Sequence, residues 1–364
     1  MLEVVRRLDI LEVFEVLWFD SLGAKSASIK ILGNDCNIVV DPGAAAMQPS
    51  YPLSPSRKEE LRAEALRKIA KALGEPSTRA VIITHYHYDH YPRPGEPLLP
   101  LTLFRSKLIL AKNPNVYINE SQWKRARTFY ESLIATLSNQ SVMIYDKPAP
   151  IGIGDPTEKL TIAMSRSFGN YDSRRRELLE RGKSWFRKLR EKWLSEPWIK
   201  ELSLPDGSAI RWADSRTQNV CGIELKFTEP WFHGVEYDRT GWVIGFEARI
   251  RNIKMFYSSD IMGPIIEDYA EEIFKTRPDI VILDGPPTYL YPYMLNRINL
   301  ERAIDNAIRI LEAQPRLVVY DHHLLREKRW RERVSKVFRE ARKLGVSILT
   351  AAELLGKKPL IDLL

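Results

Sequence analysis

The stretch Ala80-Val81-Ile82-Ile83-Thr84-His85-Tyr86-His87-Tyr88-Asp89-His90 decides how this chain is read. Its first four residues are apolar and mostly β-branched, the pattern of a short buried strand, so the polar residues behind them sit on a loop leaving a strand end. Three of the chain's six histidines fall between His85 and His90. Core packing does not account for such a cluster, whereas imidazole and carboxylate side chains are the ligands that hold zinc, iron or manganese. Alternation along the loop sends His85 and His87 to one side for one ion and turns Asp89 and His90 toward a second. Tyr86 and Tyr88 are left to pack.

Working outward, residues 26–31 alternate as a strand, and a second strand over 38–40 ends at Asp41-Pro42-Gly43, a turn signal. Asp41 is expected to steady the ligand loop by hydrogen bonding, with a plain turn cap as the other reading. Ser56 and Glu59 form a capping-box pattern ahead of a helix whose apolar face carries Leu61, Ala65, Leu66, Ile69 and Leu73. Further strands are expected over 108–110, 223–227, 242–248, 254–257, 280–283, 317–319 and 347–349. Helices are expected near 121–137, over 300–311 with Asn299 as cap, and through Trp330, Val334, Val337, Phe338 and Ala341. No internal repeat is visible. Strands and helices interleave, so an α/β layering with both sheet faces covered follows.

The remaining histidines also follow strands: His233 after 223–227, and His322 and His323 after 317–319. Asp260 closes the run Met255-Phe256-Tyr257-Ser258-Ser259, where a carboxylate is placed to bridge two cations. Asp284 is expected to cap the Gly285-Pro286-Pro287 turn without a chemical role, and Lys25 reads first as a surface lysine, second as a contact for a substrate anion.

Net charge is +8, and residues 174–192 alone, with six arginines and three lysines against three glutamates, carry +6 of it. A local basic helix is either a solvated face or a surface for an anionic substrate or nucleic acid. Leu178, Leu179, Gly182, Trp185, Phe186, Leu189 and Trp193 recur there at helical spacing, an apolar stripe read as core in preference to a base-stacking platform. Cys36 and Cys221 are far apart and lack a C-x-x-C spacing, so neither a disulfide framework nor a thiolate zinc cluster is expected, and a reducing cytoplasm fits. Arg6 and Arg7 precede an apolar stretch broken by Asp9, Glu12 and Glu15, which excludes a signal core, and no run suffices to span a bilayer.

Taken in order, Asp41 after a strand, His85-x-His87-x-Asp89-His90, His233, Asp260 and His322 resemble the metallo-β-lactamase superfamily. Within it, Asp20-Ser21-Leu22-Gly23, Tyr257-Ser258-Ser259-Asp260, Gly285-Pro286-Pro287-Thr288-Tyr289 and Asp321-His322-His323-Leu324-Leu325 resemble an uncharacterised, mainly archaeal branch of predicted metal-dependent hydrolases. The resemblance implies a four-layered αβ/βα sandwich and two divalent metal ions, zinc first, with iron or manganese as alternatives. It implies that His85, His87 and His233 hold one ion, Asp89, His90 and His322 the other, and that Asp260 bridges them. The chain then divides into the first half of the metallo-hydrolase domain (1–164), a basic helical insert (165–217) placed as a cap or lid, and the second half (218–364). The long gap from His90 to His233 contains that insert.

Two close ions make hydroxide available near neutral pH and polarise an electrophile, so hydrolysis of an ester-like bond is the expected reaction. Asp89 would orient the nucleophile as well as ligate, and His323 would supply a proton or hold a substrate oxygen. The basic insert tilts the substrate toward a phosphodiester or another phosphate-containing molecule, small or nucleic acid, with a thioester or lactone as the alternative. From other classes, a nucleic-acid-binding protein with a structural metal site and a di-iron redox protein remain competitors.

Overall fold

β-Branched and aromatic residues at alternating positions build two seven-stranded sheets in a computed structural model that describes residues 12–138, 142–149 and 151–364. Arg6, Arg7 and Asp9, on which the signal reading rested, lie outside the described residues. The first sheet contains β1 (Phe14–Phe19), β2 (Ala27–Leu32), β3 (Asn37–Val40), β4 (Thr78–Ile83), β5 (Leu108–Ala111), β6 (Leu202–Ser203) and β7 (Ala209–Trp212), in the order β1-β2-β3-β4-β5-β7-β6. The second holds β8 (Thr217–Val220), β9 (Ile223–Phe227), β10 (Phe246–Ile250), β11 (Ile253–Tyr257), β12 (Ile280–Asp284), β13 (Leu317–Asp321) and β14 (Ser347–Leu349) in sequence. Each sheet begins antiparallel and turns parallel, at β3 in the first and at β11 in the second.

Alternation sorts the strand residues into two cores. Val16, Ile29, Ile38, Val40 and Ile82 of the first sheet meet Leu225, Ala248, Met255, Ile280 and Val319 of the second between the sheets. Their neighbours Val39, Val81 and Ile83 face outward to α1 (Pro55–Gly74) and α2 (Glu120–Leu137). Val281, Leu283 and Val318 do the same toward α4 (Glu267–Thr276), α5 (Arg297–Leu311) and α6 (Ser335–Leu344), while α3 (Asp172–Ser195) belongs to the insert. Helix, sheet, sheet, helix is the four-layered αβ/βα sandwich expected from the sequence.

Local details differ from the sequence reading. The cap of α1 is Ser54, whose side chain accepts from Arg57 N, because Pro55 already has the backbone angle of a first helical residue. Asn296, rather than Asn299, caps α5, accepting from Asn299 N. The strand expected over 242–248 is split: Trp242–Val243 pairs with Trp231–Phe232 in a separate ribbon, and only Phe246–Ile250 joins the sheet.

The insert is helical over α3 (Asp172–Ser195), and helix ends there, not at Thr217. Beyond it, β6 and β7 return to the first sheet, with β7 parallel to β5. The aromatic stripe is core: Leu179, Phe186, Leu189 and Trp193 are buried with Phe232, Tyr237 and Trp242, and Trp185 stacks on Trp242 at 5.6 Å.

Cys36 and Cys221 form a disulfide, which overturns the expectation of two free thiols. They lie in the β2–β3 and β8–β9 turns, and Asn34 N donates to Cys221 O at 3.1 Å, so folding brings together residues 185 apart in sequence. Sequence spacing carries no trace of such a meeting. A reducing compartment therefore no longer follows from the cysteines. Among the described residues no helix is long and apolar enough to cross a membrane.

Candidate metal centre

Parallel strands carry their C-terminal ends to one edge of the sandwich, where ligand sites of open α/β sheets form. Asp41 follows β3 and His85 lies just beyond β4; Asp260 is past the end of β11, Asp284 ends β12 and His322 follows β13. Asp284 and Asp321 are register partners on β12 and β13, so the segments they lead into lie side by side. His233 alone comes from off the sheets, in the loop between the two strands of the Trp231–Phe232 ribbon.

The seven expected ligands converge. Asp260 Oδ2 lies 2.9 Å from His233 Nε2, 3.5 Å from His322 Nε2, and 3.6 Å from both His85 Nε2 and His90 Nε2. His85 Nε2 faces His87 Nδ1 at 3.1 Å, and His90 Nε2 faces His322 Nε2 at 3.2 Å. Among the described residues, His85, His87, His233 and Asp260 form one group able to hold an ion, and Asp89, His90 and His322 another, each with donor atoms within 4.8 Å of one another. A third group joins Asp260 and His322 to His323 and Asp284. Only His87 and Asp89 of the expected ligands are partly exposed, so the centre opens on their side.

This donor set fits divalent cations. His233 Nδ1 is buried without a hydrogen bond, and His233 Nε2 and Asp260 Oδ1, though 2.9 Å from Asp260 Oδ2 and 3.1 Å from His323 Nδ1, are not aligned for one. Buried polar atoms seldom go unpaired, and lone pairs converging on common points are what a metal ion satisfies.

Behind the ligands stands a second set of groups that fixes their rings. Asp41 Oδ2 accepts from His90 Nδ1 at 2.8 Å, from Thr84 Oγ1 at 2.7 Å and from Tyr257 OH at 2.8 Å, while Asp41 Oδ1 accepts from Thr84 N at 2.8 Å. Hydrogen bonding to the ligand loop is therefore the role of Asp41. Gly43 lets the two loops touch, since a Cβ there would sit 2.4 Å from Tyr91 N and 2.6 Å from His90 N. His322 Nδ1 lies 3.0 Å from Asp20 Oδ1, and Asp20 Oδ2 accepts from Arg326 Nε at 2.5 Å. Such carboxylate–imidazole pairs set which ring nitrogen is free for a metal.

Of the adjacent histidines, His322 faces His90 across the cage, and His323 approaches the other oxygen of Asp260. His323 Nδ1 lies 3.1 Å from Asp284 Oδ1 and 3.1 Å from Asp260 Oδ1. Asp284 is thus more than the turn cap expected of it, because it holds the ring of His323. Asp20 and Arg326 were not singled out by sequence reasoning. They lie 306 positions apart, and the one available signal was the Asp20-Ser21-Leu22-Gly23 phrase.

Electrostatics divides the imidazoles. Burial, with His90 and His87 beside it, holds His85 well below the usual histidine range, and burial with the His233 charge lowers His87 to about 3. Burial likewise opposes charge on His90, but the Asp41 and Asp260 carboxylates outweigh it and raise the group to about 10. His233 and His322 are raised in the same way, burial being overcome by Asp260 and by Asp20 respectively. Burial would raise Asp260, yet the surrounding imidazoles hold it well below the usual carboxylate range. Asp284 goes the other way, raised by burial and by the Asp260 charge.

The His233 loop is braced from outside. Gly182 of α3 allows the helix to press on it, as a Cβ would come within 2.4 Å of Tyr237 Cβ. Glu236 pairs with Arg175 of α3 at 2.8 Å and with Arg302 of α5 at 2.9 Å. Asn119 and Gln122 side-chain amides donate to Thr240 O at 2.9 and 2.6 Å.

Residues 25–91 match the family model described as the metallo-beta-lactamase superfamily. Over nearly its whole length the chain is similar to archaeal proteins called UPF0282. One from Methanopyrus kandleri is 29% identical over 351 residues, spanning 94% of this chain and 93% of that protein. Another, from Korarchaeum cryptofilum, is 28% identical over 339 residues, spanning 93% and 87%. Among solved structures, similarity extends to a possible metal-dependent hydrolase from Veillonella parvula, at 12% identity and a TM-score of 0.43, covering 90% of this chain and 94% of that one. The metallo-beta-lactamase fold protein YhfI from Bacillus subtilis is similar at 10% identity and a TM-score of 0.41, covering 90% and 93%. The match over residues 25–91 and the archaeal relatives bear out the resemblance drawn from the sequence motifs.

Proposed function

We propose that this chain, with its metallo-β-lactamase fold, is a hydrolase that works with two divalent metal ions, zinc first among them, on an ester-like bond. The observation that carries this reading is the single oxygen of Asp260 ringed by four imidazole nitrogens at 2.9–3.6 Å, the arrangement a bridging carboxylate needs. His85, His87 and His233 would hold one ion and Asp89, His90 and His322 the other. When bound, two such ions acidify water, polarise the electrophile and offset developing negative charge.

The chain's own residues supply the rest. Asp41 and Asp20 keep His90 and His322 turned with Nε2 toward the cage. Asp89, partly exposed at the opening, is positioned to accept a hydrogen bond from the attacking water and orient it. His323, its Nδ1 against Asp284 and Asp260, would supply a proton or hold a substrate oxygen through its other ring nitrogen. Buried walls keep bulk water from the remaining ligands.

The test pairs metal analysis of the purified protein with assays on bis-p-nitrophenyl phosphate, a thioester and a lactone. Two equivalents of metal, with turnover lost on chelation and restored by adding metal, are expected. A metal-loaded protein inert toward all three would refute the hydrolase reading and favour a structural metal site.

A further inference from the structure

β11, β12 and β13 are neighbouring parallel strands, and each delivers a donor at or just beyond its C-terminal end. Asp260 follows β11, Asp284 ends β12 and His323 follows β13. His323 Nδ1 is where they meet, 3.1 Å from Asp260 Oδ1, 3.1 Å from Asp284 Oδ1 and 3.2 Å from Asp284 Oδ2. With His322 the three form a buried group whose donor atoms lie within 4.8 Å of one another. His322 is already engaged, since its Nε2 faces His90 and its Nδ1 faces Asp20. The other three are poorly served. One N–H on His323 cannot satisfy two carboxylates, and Asp260 Oδ1 is buried without a hydrogen bond. Beyond that ring Asp284 accepts only two long contacts, from Gly263 N at 3.3 Å and from His323 N at 3.4 Å. Among the described residues no lysine or arginine forms an ion pair with Asp260 or Asp284.

We infer that Asp260 Oδ1, Asp284 and His323 Nδ1 form a third site for a divalent cation, beside the two of the centre and filled after them. The inference rests on the two-ion reading for the bridging role of Asp260, and is independent of which bond is hydrolysed. A tetrahedral ion with bonds of about 2.0–2.1 Å spaces its ligands about 3.3 Å apart, so separations of 3.1 Å need little adjustment. Two buried carboxylates this close repel each other in a low dielectric, and a cation between them turns that repulsion into attraction. The site fills last because Asp260 already serves the paired ions through Oδ2, and their charges oppose a third. Protein as purified therefore holds two equivalents, and the third enters only in excess metal. With Nδ1 then occupied, the proton of His323 stays on Nε2, which makes the ring a donor toward a substrate oxygen.

The experiment counts zinc in the full chain and in two variants, Asp284→Asn and His323→Gln. Each is dialysed to equilibrium against zinc buffered up to about 1 mM free, the weakest binding the count is asked to detect. Bound metal is measured by elemental analysis, and the urea midpoint of each metal-free protein is measured alongside. Wild type is expected to hold two equivalents at low free zinc and three at the top of the range. Each variant should stop at two, with the two tight ions retained. All six histidines lie in the centre, so a third equivalent held elsewhere would be independent of these residues and would persist in both variants. Three equivalents in D284N and H323Q therefore overturn the inference. So does a variant with the wild-type urea midpoint that falls below two, because the residue then belongs to the paired-ion centre. If D284N fails to fold, H323Q carries the comparison. A wild type that stops at two overturns the third site and leaves the two-ion centre standing, whereas one that stops below two overturns the two-ion reading as well.

Discussion

Replacing Asp41 with asparagine should damage both the fold and the metal centre, by amounts that follow from its four hydrogen bonds. One carboxylate accepts from Thr84 N, Thr84 Oγ1, His90 Nδ1 and Tyr257 OH at 2.7–2.8 Å, fully buried. Asp41 has a left-handed backbone, φ 45°, which asparagine also tolerates, so D41N tests the carboxylate and not the turn. The amide's oxygen can serve the three donors at Oδ2, but its NH₂ then faces the Thr84 N–H, leaving a buried backbone donor unpaired at about 1–3 kcal/mol. The three surviving bonds lose charge assistance, roughly 1 kcal/mol more for each, giving a total of about 4–6 kcal/mol. His90 also loses the anion that makes its Nε2 basic, for which about a 10- to 100-fold loss of metal affinity is expected. Urea unfolding of the metal-free protein measures the first effect and competition with a chromogenic chelator the second. A D41N protein that unfolds at the wild-type midpoint and keeps wild-type metal affinity would refute this account of how the loop is held.

In metal-free protein at pH 7, His90, raised to about 10, and His322, raised well above the usual histidine range, carry protons that a metal must displace, and His233 is shifted in the same direction. Because binding releases protons, affinity should tighten as pH rises toward about 10, and calorimetry in buffers of different ionisation enthalpy should count more than one proton released; a count of zero contradicts the charge pattern. Arg302→Met removes one of the two arginines that meet each of Glu236 and Glu267, at 2.9 and 2.8 Å with side chains 4% exposed, leaving them Arg175 and Arg166, and should cost about 3 kcal/mol in urea unfolding; an unchanged midpoint would show that the remaining arginines suffice. Exchanging Cys36 and Cys221 together for serine removes a crosslink closing 185 residues, worth up to about 5 kcal/mol by chain entropy, and should lower thermal stability while leaving metal content intact, since the turns joined lie at the opposite strand ends from the centre. Loss of metal in that variant would place the staple in the wrong role.

What could be read from the sequence was local or periodic. The His85–His90 loop announced itself because its ligands are neighbours, and the strands around it because alternation has a period that both cores enforce. Legibility failed where partners are distant. Arg326 meets Asp20, Cys36 meets Cys221, and Asp284 reaches His323 only because β12 and β13 set Asp284 opposite Asp321. The strand expected over 242–248 failed for a local cause that is itself tertiary. At Gly245 a Cβ would lie 2.8 Å from Tyr257 O, and Ile244 N turns to donate to Thr84 O at 3.1 Å, so the chain leaves the ribbon before entering the sheet.

That crossing also explains the long gap between His90 and His233. Ligands that follow strands are held by the sheets, whose hydrogen bonds fix where each chain end arrives. His233 has no such support, because its two-stranded ribbon is too short to be stable alone. The insert supplies the missing rigidity. α3 abuts Tyr237 across Gly182, its aromatic face packs on Trp242, and Arg175 with Arg302 clamps Glu236 in the loop itself. We propose that a helix engaged in this way braces the His233 loop, in place of the cap or lid expected of the insert. The consequence is an asymmetry between the two cages: weakening α3 should loosen the cage that depends on His233 and spare the one built from Asp89, His90 and His322. Substituting Gly182 with alanine, which forces the helix off the loop, should therefore lower the affinity of one metal equivalent and leave the other unchanged.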